Sequence, residues 1–260
     1  MKFFLLSIIF LSTSLHTNSD SEKWGQVGHY VTGQVAENHI TEKTAAEIER
    51  VMGKETIANA TVWMDDIRSD EDYDYTSTWH WVTIPDGMTY SESEKNPDGD
   101  IIWALENLIS ELKEGGLTAK EEHDHLKMVM HMVGDIHQPL HVGTGADLGG
   151  NQANVQWMGD NSNLHRVWDT DMIMSRQMSY TELASNIDTV DSETVAEWQN
   201  ASVRDWAYES MTYRDDVYDV PDNNRIGYEY RYKNLDIVKS RMVKAGVRLA
   251  GILNEIYDSE

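Results

Sequence analysis

The 260 residues carry 45 acidic against 21 basic side chains, a net charge of −24, and no cysteine. Without thiols neither disulfides nor thiolate metal sites exist, so any metal must sit on His, Asp, Glu or backbone groups, a donor set that suits zinc or another divalent first-row ion. The anionic balance argues against tight nonspecific binding of duplex DNA through its phosphates. It leaves open a phosphodiester substrate whose charge is met by bound metal, and equally an adaptation to salty surroundings.

The length suits one large domain with a real core. At the N-terminus Lys2 precedes the apolar run Phe3 to Leu11 and a polar tract through Lys23. That run is too short to span a bilayer and has signal-peptide proportions. The expected organisation is a signal peptide over 1–23 and a functional domain over 24–260, secreted or periplasmic, with no membrane insertion once the signal is removed. No small-x-small cleavage site directly precedes Trp24, which leaves two-step trimming or a different cleavage point open. Residues 1–23 hold equal numbers of acidic and basic groups, so their loss leaves the charge unchanged.

Beyond Trp24 a helical stretch runs to about His39, and a shorter helix from Thr41 to Met52 stops at Gly53. Thr61 to Arg68 reads as one or two further turns, and Thr78 to Ile84 as extended or irregular chain ending at Pro85. Ile101, Ile102, Leu105, Leu108, Ile109 and Leu112 form one helical apolar face closed by Gly115-Gly116. Thr118 and Glu121 form a capping-box signature for the next helix. A polar, glycine-bearing loop from Gly143 to Asn163 suggests a short hairpin, after which Asn161 or Asn163 caps a helix bearing His165 and Asp169. The remainder is helical, and its last helix repeats apolar residues from Leu235 to Ile256 at packing spacing. Strand signals are few, so the expected fold is all-α, a single-domain helical bundle with a short hairpin in one loop.

The chemistry concentrates in His131 to His141, HMVGDIHQPLH. His131 and Asp135 share a helix face, and Pro139 stops the helix so that His141 approaches from a new direction. His165 and Asp169 repeat the i,i+4 pairing. One such pair is ordinarily an exposed helix pair of small energetic value. Two pairs, with His141 beside them, point to metal. His137 lies off the His131/Asp135 face and reads as a hydrogen-bonded structural residue. His39, His123 and His125 read as surface groups, and Met128, Met130 and Met132 as packing.

These residues sit among further blocks: WGQVGH at Trp24–His29, WMDDIR at Trp63–Arg68, WHWV at Trp79–Val82, DLGGN at Asp147–Asn151, NLHRVWD at Asn163–Asp169 and AGVRLAGILN at Ala245–Asn254. Together the chain resembles the zinc-dependent single-strand nucleases of mung-bean type, within the phospholipase C/nuclease superfamily. The resemblance implies three zinc ions: one on Asp65, His80, His131 and Asp135; a second on His141, His165 and Asp169; a third on His29, bridging Asp135, and the free amino group and carbonyl of Trp24. It implies a catalytic pair, Asp65 orienting the attacking water and Arg68 stabilising phosphoryl charge. Trp81 would stack on a base, while Thr83 stands where many members carry an aspartate that hydrogen-bonds the base. Asn151, with Asp147, would brace the loop near the second zinc.

The implied substrates are single-stranded nucleic acid, RNA and DNA, cleaved to 5′-phosphate products, and 3′-nucleotides; no stable protein partner is expected. The alternatives are a zinc-dependent phospholipase C of the same superfamily and a non-catalytic zinc-binding protein.

Overall fold

The computed structural model describes residues 25–258; the expected signal segment and Trp24 lie outside the described residues. The chain opens with α1 (Gln26–His39), α2 (Glu42–Met52), α3 (Ile57–Ala60) and α4 (Trp63–Asp66), then reaches a two-residue strand, β1 (Val82–Thr83). Next come α5 (Ile101–Glu114), α6 (Ala119–His137) and β2 (Val142–Gly143), followed by a hairpin, β3 (Asn154–Trp157) and β4 (Asp160–Asn163). The second half holds α7 (Leu164–Arg166), α8 (Met172–Met174), α9 (Tyr180–Ile187), α10 (Ser192–Gln199), α11 (Val203–Met211) and α12 (Arg214–Val217). A short β5 (Arg225–Ile226) precedes the 30-residue α13 (Tyr228–Tyr257). The fold is all-α, with few and short strands.

Local chemistry sets the helix ends. Thr41 caps α2 by accepting from the Thr44 amide, and Gly53 ends it in the left-handed region at φ +68°. Asp100 accepts from the amides of Ile102 and Trp103 to start α5, and Thr118 with Glu121 forms the full capping box of α6. α6 stops at His137 because Gln138 precedes a proline and adopts φ −81°, ψ 121°, the extended conformation such a residue is driven to. Pro139–His141 then form one 3-10 turn.

The core is built around α6, which is buried from Leu126 to His137 and packs against α5 and α13. Met128, Met130 and Met132 are all fully buried there, as packing residues should be. α13 lies along α1 and fills the other side with Val238, Met242, Ala245 and Leu249.

Two strand arrangements go beyond the expected hairpin. β5 adds in parallel to β3, pairing Gln156 with Arg225. β1 pairs in parallel with β2, setting Val82 against Val142 and Thr83 against Gly143. Two-residue strands carry no periodicity to read, and their partners are remote in the chain. This second pairing matters most, because it lays the His80–Thr83 segment beside His141. Arg214 of α12 straps it: one nitrogen, Nη2, donates to Ile84 O at 2.9 Å and Val142 O at 2.7 Å.

The three histidines expected at the surface are half-buried instead. His39 meets Asp188 at 2.9 Å, His123 meets Asp124 at 2.9 Å and His125 meets Glu111 at 3.2 Å. A carboxylate stands beside each ring, from the next residue for His123 and from other elements for His39 and His125.

Candidate metal centre

The centre forms where α6, its terminal 3-10 turn, α1, α4 and the 163–171 segment meet. His131 and Asp135 project from one face of α6, as their spacing requires. His165 and Asp169 share a face in a different way: α7 passes into a π-helical turn at Val167–Asp171, and wider turns of this kind recur at functional sites. Asn163 caps the segment by accepting from the Arg166 amide at 2.8 Å.

Backbone carbonyls orient the imidazoles. His131 Nδ1 donates to Thr61 O at 2.7 Å, His141 Nδ1 to His80 O at 2.8 Å and His165 Nδ1 to Gly149 O at 2.7 Å. A carbonyl only accepts, so in each ring Nδ1 carries a proton and Nε2 is the atom turned inward, towards the place where a proton or a cation would sit. Gly149 serves this arrangement directly. It sits at φ +60°, and a Cβ there would lie 2.5 Å from Leu140 O.

Asp135, fully buried, is the hub. Its Oδ1 lies 3.3 Å from His29 Nε2 and 3.4 Å from His141 Nδ1, and its Oδ2 lies 3.0 Å from His80 Nδ1 and 3.1 Å from His131 Nε2. His29 stacks on His131 with ring centroids 4.1 Å apart. Asp65, 26% exposed, stands at the open side with Oδ1 4.0 Å from both His80 and His131. In the neighbouring set His165 Nε2 is 2.9 Å from Asp169, and His141 Nε2 is 3.7 Å from it.

Among the described residues donor atoms therefore cluster in three groups: Asp65, His80 and His131; His29, His131 and Asp135; His141, His165 and Asp169, each within 4.8 Å. Trp24, expected beside His29, lies outside the described residues.

A divalent cation fits these groups. Asp65 Oδ1, Asp135 Oδ1, Asp169 Oδ2 and His141 Nε2 are buried without a hydrogen bond among the described residues, and such atoms are costly unless something else satisfies them. The local field agrees. Burial pushes the Asp135 carboxyl up, but the charges of His131 and His141 and the close approach of His131 and His29 outweigh it and hold the group well below the carboxylate range. Burial likewise lowers His141, yet Asp135 and Asp169 raise it to about 9. His29 goes the other way, lowered by burial and by His131. A field that draws protons onto imidazoles is the field that holds a cation.

A cavity of about 370 Å³ opens beside the His141/His165 group, lined among others by Arg68, Trp81, Thr83, Leu148 and Asn151. Trp81 is 40% exposed there. Arg68 follows Asp65 by one turn, on the 3-10 turn Ile67–Ser69, and pairs with no carboxylate among the described residues. Asn151 Nδ2 donates to Leu148 O at 3.0 Å, while Asp147 accepts from the Gly150 amide at 2.9 Å and from the Tyr218 hydroxyl at 2.8 Å. Both thus shape the loop that forms the cavity wall.

His137 turns away from the centre, donating from Nδ1 to Val133 O at 2.8 Å and meeting Arg248 Nη1 at 2.9 Å. Gln138 was absent from the sequence-derived site, yet it donates to Asp169 Oδ1. Its place between two candidate ligands, directly before a proline, was the available signal. The carbonyls of Thr61, His80 and Gly149 carried none, since every residue has one.

A model of the S1/P1 nuclease family matches residues 24–258. Among similar proteins, endonuclease 4 of Arabidopsis thaliana is 30% identical, with 91% of this chain and 90% of the relative covered. Nuclease S1 of Aspergillus oryzae is 26% identical, with 90% and 91% covered, and nuclease P1 of Penicillium citrinum is 24% identical, with 91% and 99% covered. Helical fold, clustered His and Asp groups and a match over the full described length converge on one conclusion: the chain belongs to the S1/P1 nuclease family.

Proposed function

We propose that this protein is a secreted, zinc-dependent endonuclease that hydrolyses phosphodiester bonds of RNA and single-stranded DNA to 5′-phosphate products, and that also removes the phosphate of 3′-nucleotides. The observation that carries this reading is Asp135, one buried carboxylate within 3.4 Å of four imidazoles that belong to three donor groups. A shared carboxylate lets several cations sit close together, as clustered-metal phosphodiester hydrolysis requires.

Asp65, His80, His131 and Asp135 would hold one zinc, and His141, His165 and Asp169 a second. His29, Asp135 and the amino terminus at Trp24 would hold a third. When bound, zinc polarises phosphoryl oxygens and brings the pKa of water to about 7, which makes water a nucleophile near neutral pH. The chain's own residues do the rest. Asp65, at the open edge, accepts a hydrogen bond from the attacking water and aims it in line at phosphorus. Arg68 places a permanent cation where negative charge builds on the phosphoryl oxygens. Trp81 offers a stacking face for one base, and Thr83 and Asn151 offer uncharged polar groups to its edge. Single-strand preference follows, because a paired base must leave its stack to reach that cavity.

The test compares purified protein on a single-stranded oligonucleotide, its duplex and phosphatidylcholine vesicles, with zinc content measured in parallel. Cleavage of the single strand and none of the vesicles is expected. Asp65→Asn should retain zinc and lose most turnover; undiminished turnover would overturn the assigned role. Sequencing the N-terminus of the secreted protein tests whether Trp24 begins the mature chain.

A further inference from the structure

Gln138 sits between the candidate ligands without being one. Its side chain is 2% exposed and both ends of the amide are engaged. Nε2 donates to Asp169 Oδ1, and Oε1 accepts from the Leu140 amide at 2.5 Å. Its backbone is tied in as well: the Gln138 amide donates to Asp135 O at 3.0 Å, and its carbonyl accepts from the His141 amide at 3.0 Å. One residue thus touches Asp135, His141 and Asp169.

The amide decides how Asp169 presents itself. A carboxylate has two equivalent oxygens and a freely turning plane, so a buried one needs a partner to select which oxygen faces the donor group. Gln138 occupies Oδ1, leaving Oδ2 buried, without a hydrogen bond and 2.9 Å from His165 Nε2. An amide is suited to this task because it donates without adding charge that would compete with a cation. Proline assists: it forces Gln138 out of the helix, so the side chain swings from the α6 axis towards the 163–171 segment.

We infer that Gln138 is a positioning residue that orients Asp169 and so sets the affinity of the His141/His165/Asp169 group for its ion, leaving the other two groups unchanged. This rests on the zinc-dependent reading above. Partners that orient metal ligands are worth about 10- to 100-fold in metal affinity.

The experiment uses zinc-loaded protein, titrated with a graded chelator while zinc content and far-ultraviolet circular dichroism are followed together. Gln138→Met keeps the side-chain length and removes the amide; Gln138→Asn keeps the amide and shortens its reach. Both should release one ion at about 10- to 100-fold lower chelator strength than wild type, the same ion that Asp169→Asn loses, with the others and the helical signal unmoved. A titration superimposable on wild type overturns the proposal, and so does concerted loss of every ion with the helical signal. Wild-type protein that takes up no zinc would remove the metal reading itself. Wild-type protein that binds zinc beside variants that bind it equally well would remove only the role of Gln138.

Discussion

Two buried polar regions lie two residues apart on α6, and they solve the same electrostatic problem in opposite ways. Among the described residues, imidazoles and carboxylates gather around Asp135 with no permanent cation, and several of their buried atoms make no hydrogen bond. Around His137 gather Arg241 and Arg248, each 1% exposed, with Glu209 between them. There Arg241 donates from Nε to His137 O at 2.8 Å, Arg248 meets His137 Nε2 at 2.9 Å, and Glu209 accepts from both arginines at 2.7 Å. The titration of the two histidines shows the contrast. Burial and then the two arginine charges hold His137 far below the usual range, neutral, whereas Asp135 and Asp169 outweigh burial and raise His141 to about 9. A region with its own cations is finished by folding alone; a region of negative field is completed by a ligand.

The most disruptive test of that contrast removes its hub. Asp135→Asn should shed zinc and cut kcat by on the order of 10³-fold, equivalent to several kcal/mol of lost charge stabilisation. Metal analysis beside steady-state cleavage of a single-stranded oligonucleotide reads both. Normal zinc content in that variant would mean that the carboxylate is structural, like its neighbour Glu209.

The mirror experiment is Glu209→Gln. It leaves two buried guanidiniums without their counter-charge, a defect worth about 3 kcal/mol when a buried partner is removed. Urea unfolding should show the loss, while zinc per folded molecule stays at the wild-type level. Zinc lost from folded protein would mean that the two regions are not separable.

Arg68 sharpens the comparison from the other side. Unlike Arg241 and Arg248 it pairs with no carboxylate among the described residues, so its charge remains available to substrate. Arg68→Met should lower kcat about 100-fold at unchanged zinc content and unchanged thermal stability. A fall in stability instead would assign it to the scaffold.

The smallest effect is a pH window. Burial pushes the Glu209 carboxyl up, but Arg248 and Arg241 outweigh it and bring it down to about 2, against an ordinary 4.5. A depressed carboxylate contributes its stability fully above the unfolded value and loses it as pH falls towards the folded one. The stability gap between wild type and Glu209→Gln should therefore be flat above about pH 5 and shrink from there towards pH 2. A gap that widened on acidification would contradict the ion-pair account.

Much of this molecule is readable locally. The caps of α2 and α6, the end of α6 before Pro139 and the apolar face of α5 depend on residues a few positions apart, so spacing suffices to place them. The same holds for the pairs His131/Asp135 and His165/Asp169. What spacing could not supply was the company those pairs keep. The pairing of β1 with β2 joins segments 60 residues apart through two residues each, and it lays the His80–Thr83 segment beside His141.

By itself, then, the sequence determined that the chain is helical, cysteine-free and acidic, and that two His/Asp pairs with His141 could hold metal, because composition and short-range periodicity are properties of the chain; Asp65, His80 and His29 entered only through the family resemblance. Only the tertiary structure decided that Asp135 touches four imidazoles, that backbone carbonyls turn three Nε2 atoms inward and that Gln138 holds Asp169. His131 and His141 are neighbours of Asp135 in the chain, but His29, His80, Thr61 and Asp169 come from tens of positions away, and they arrive only once burial of the core has brought α1, α6 and the 163–171 segment together.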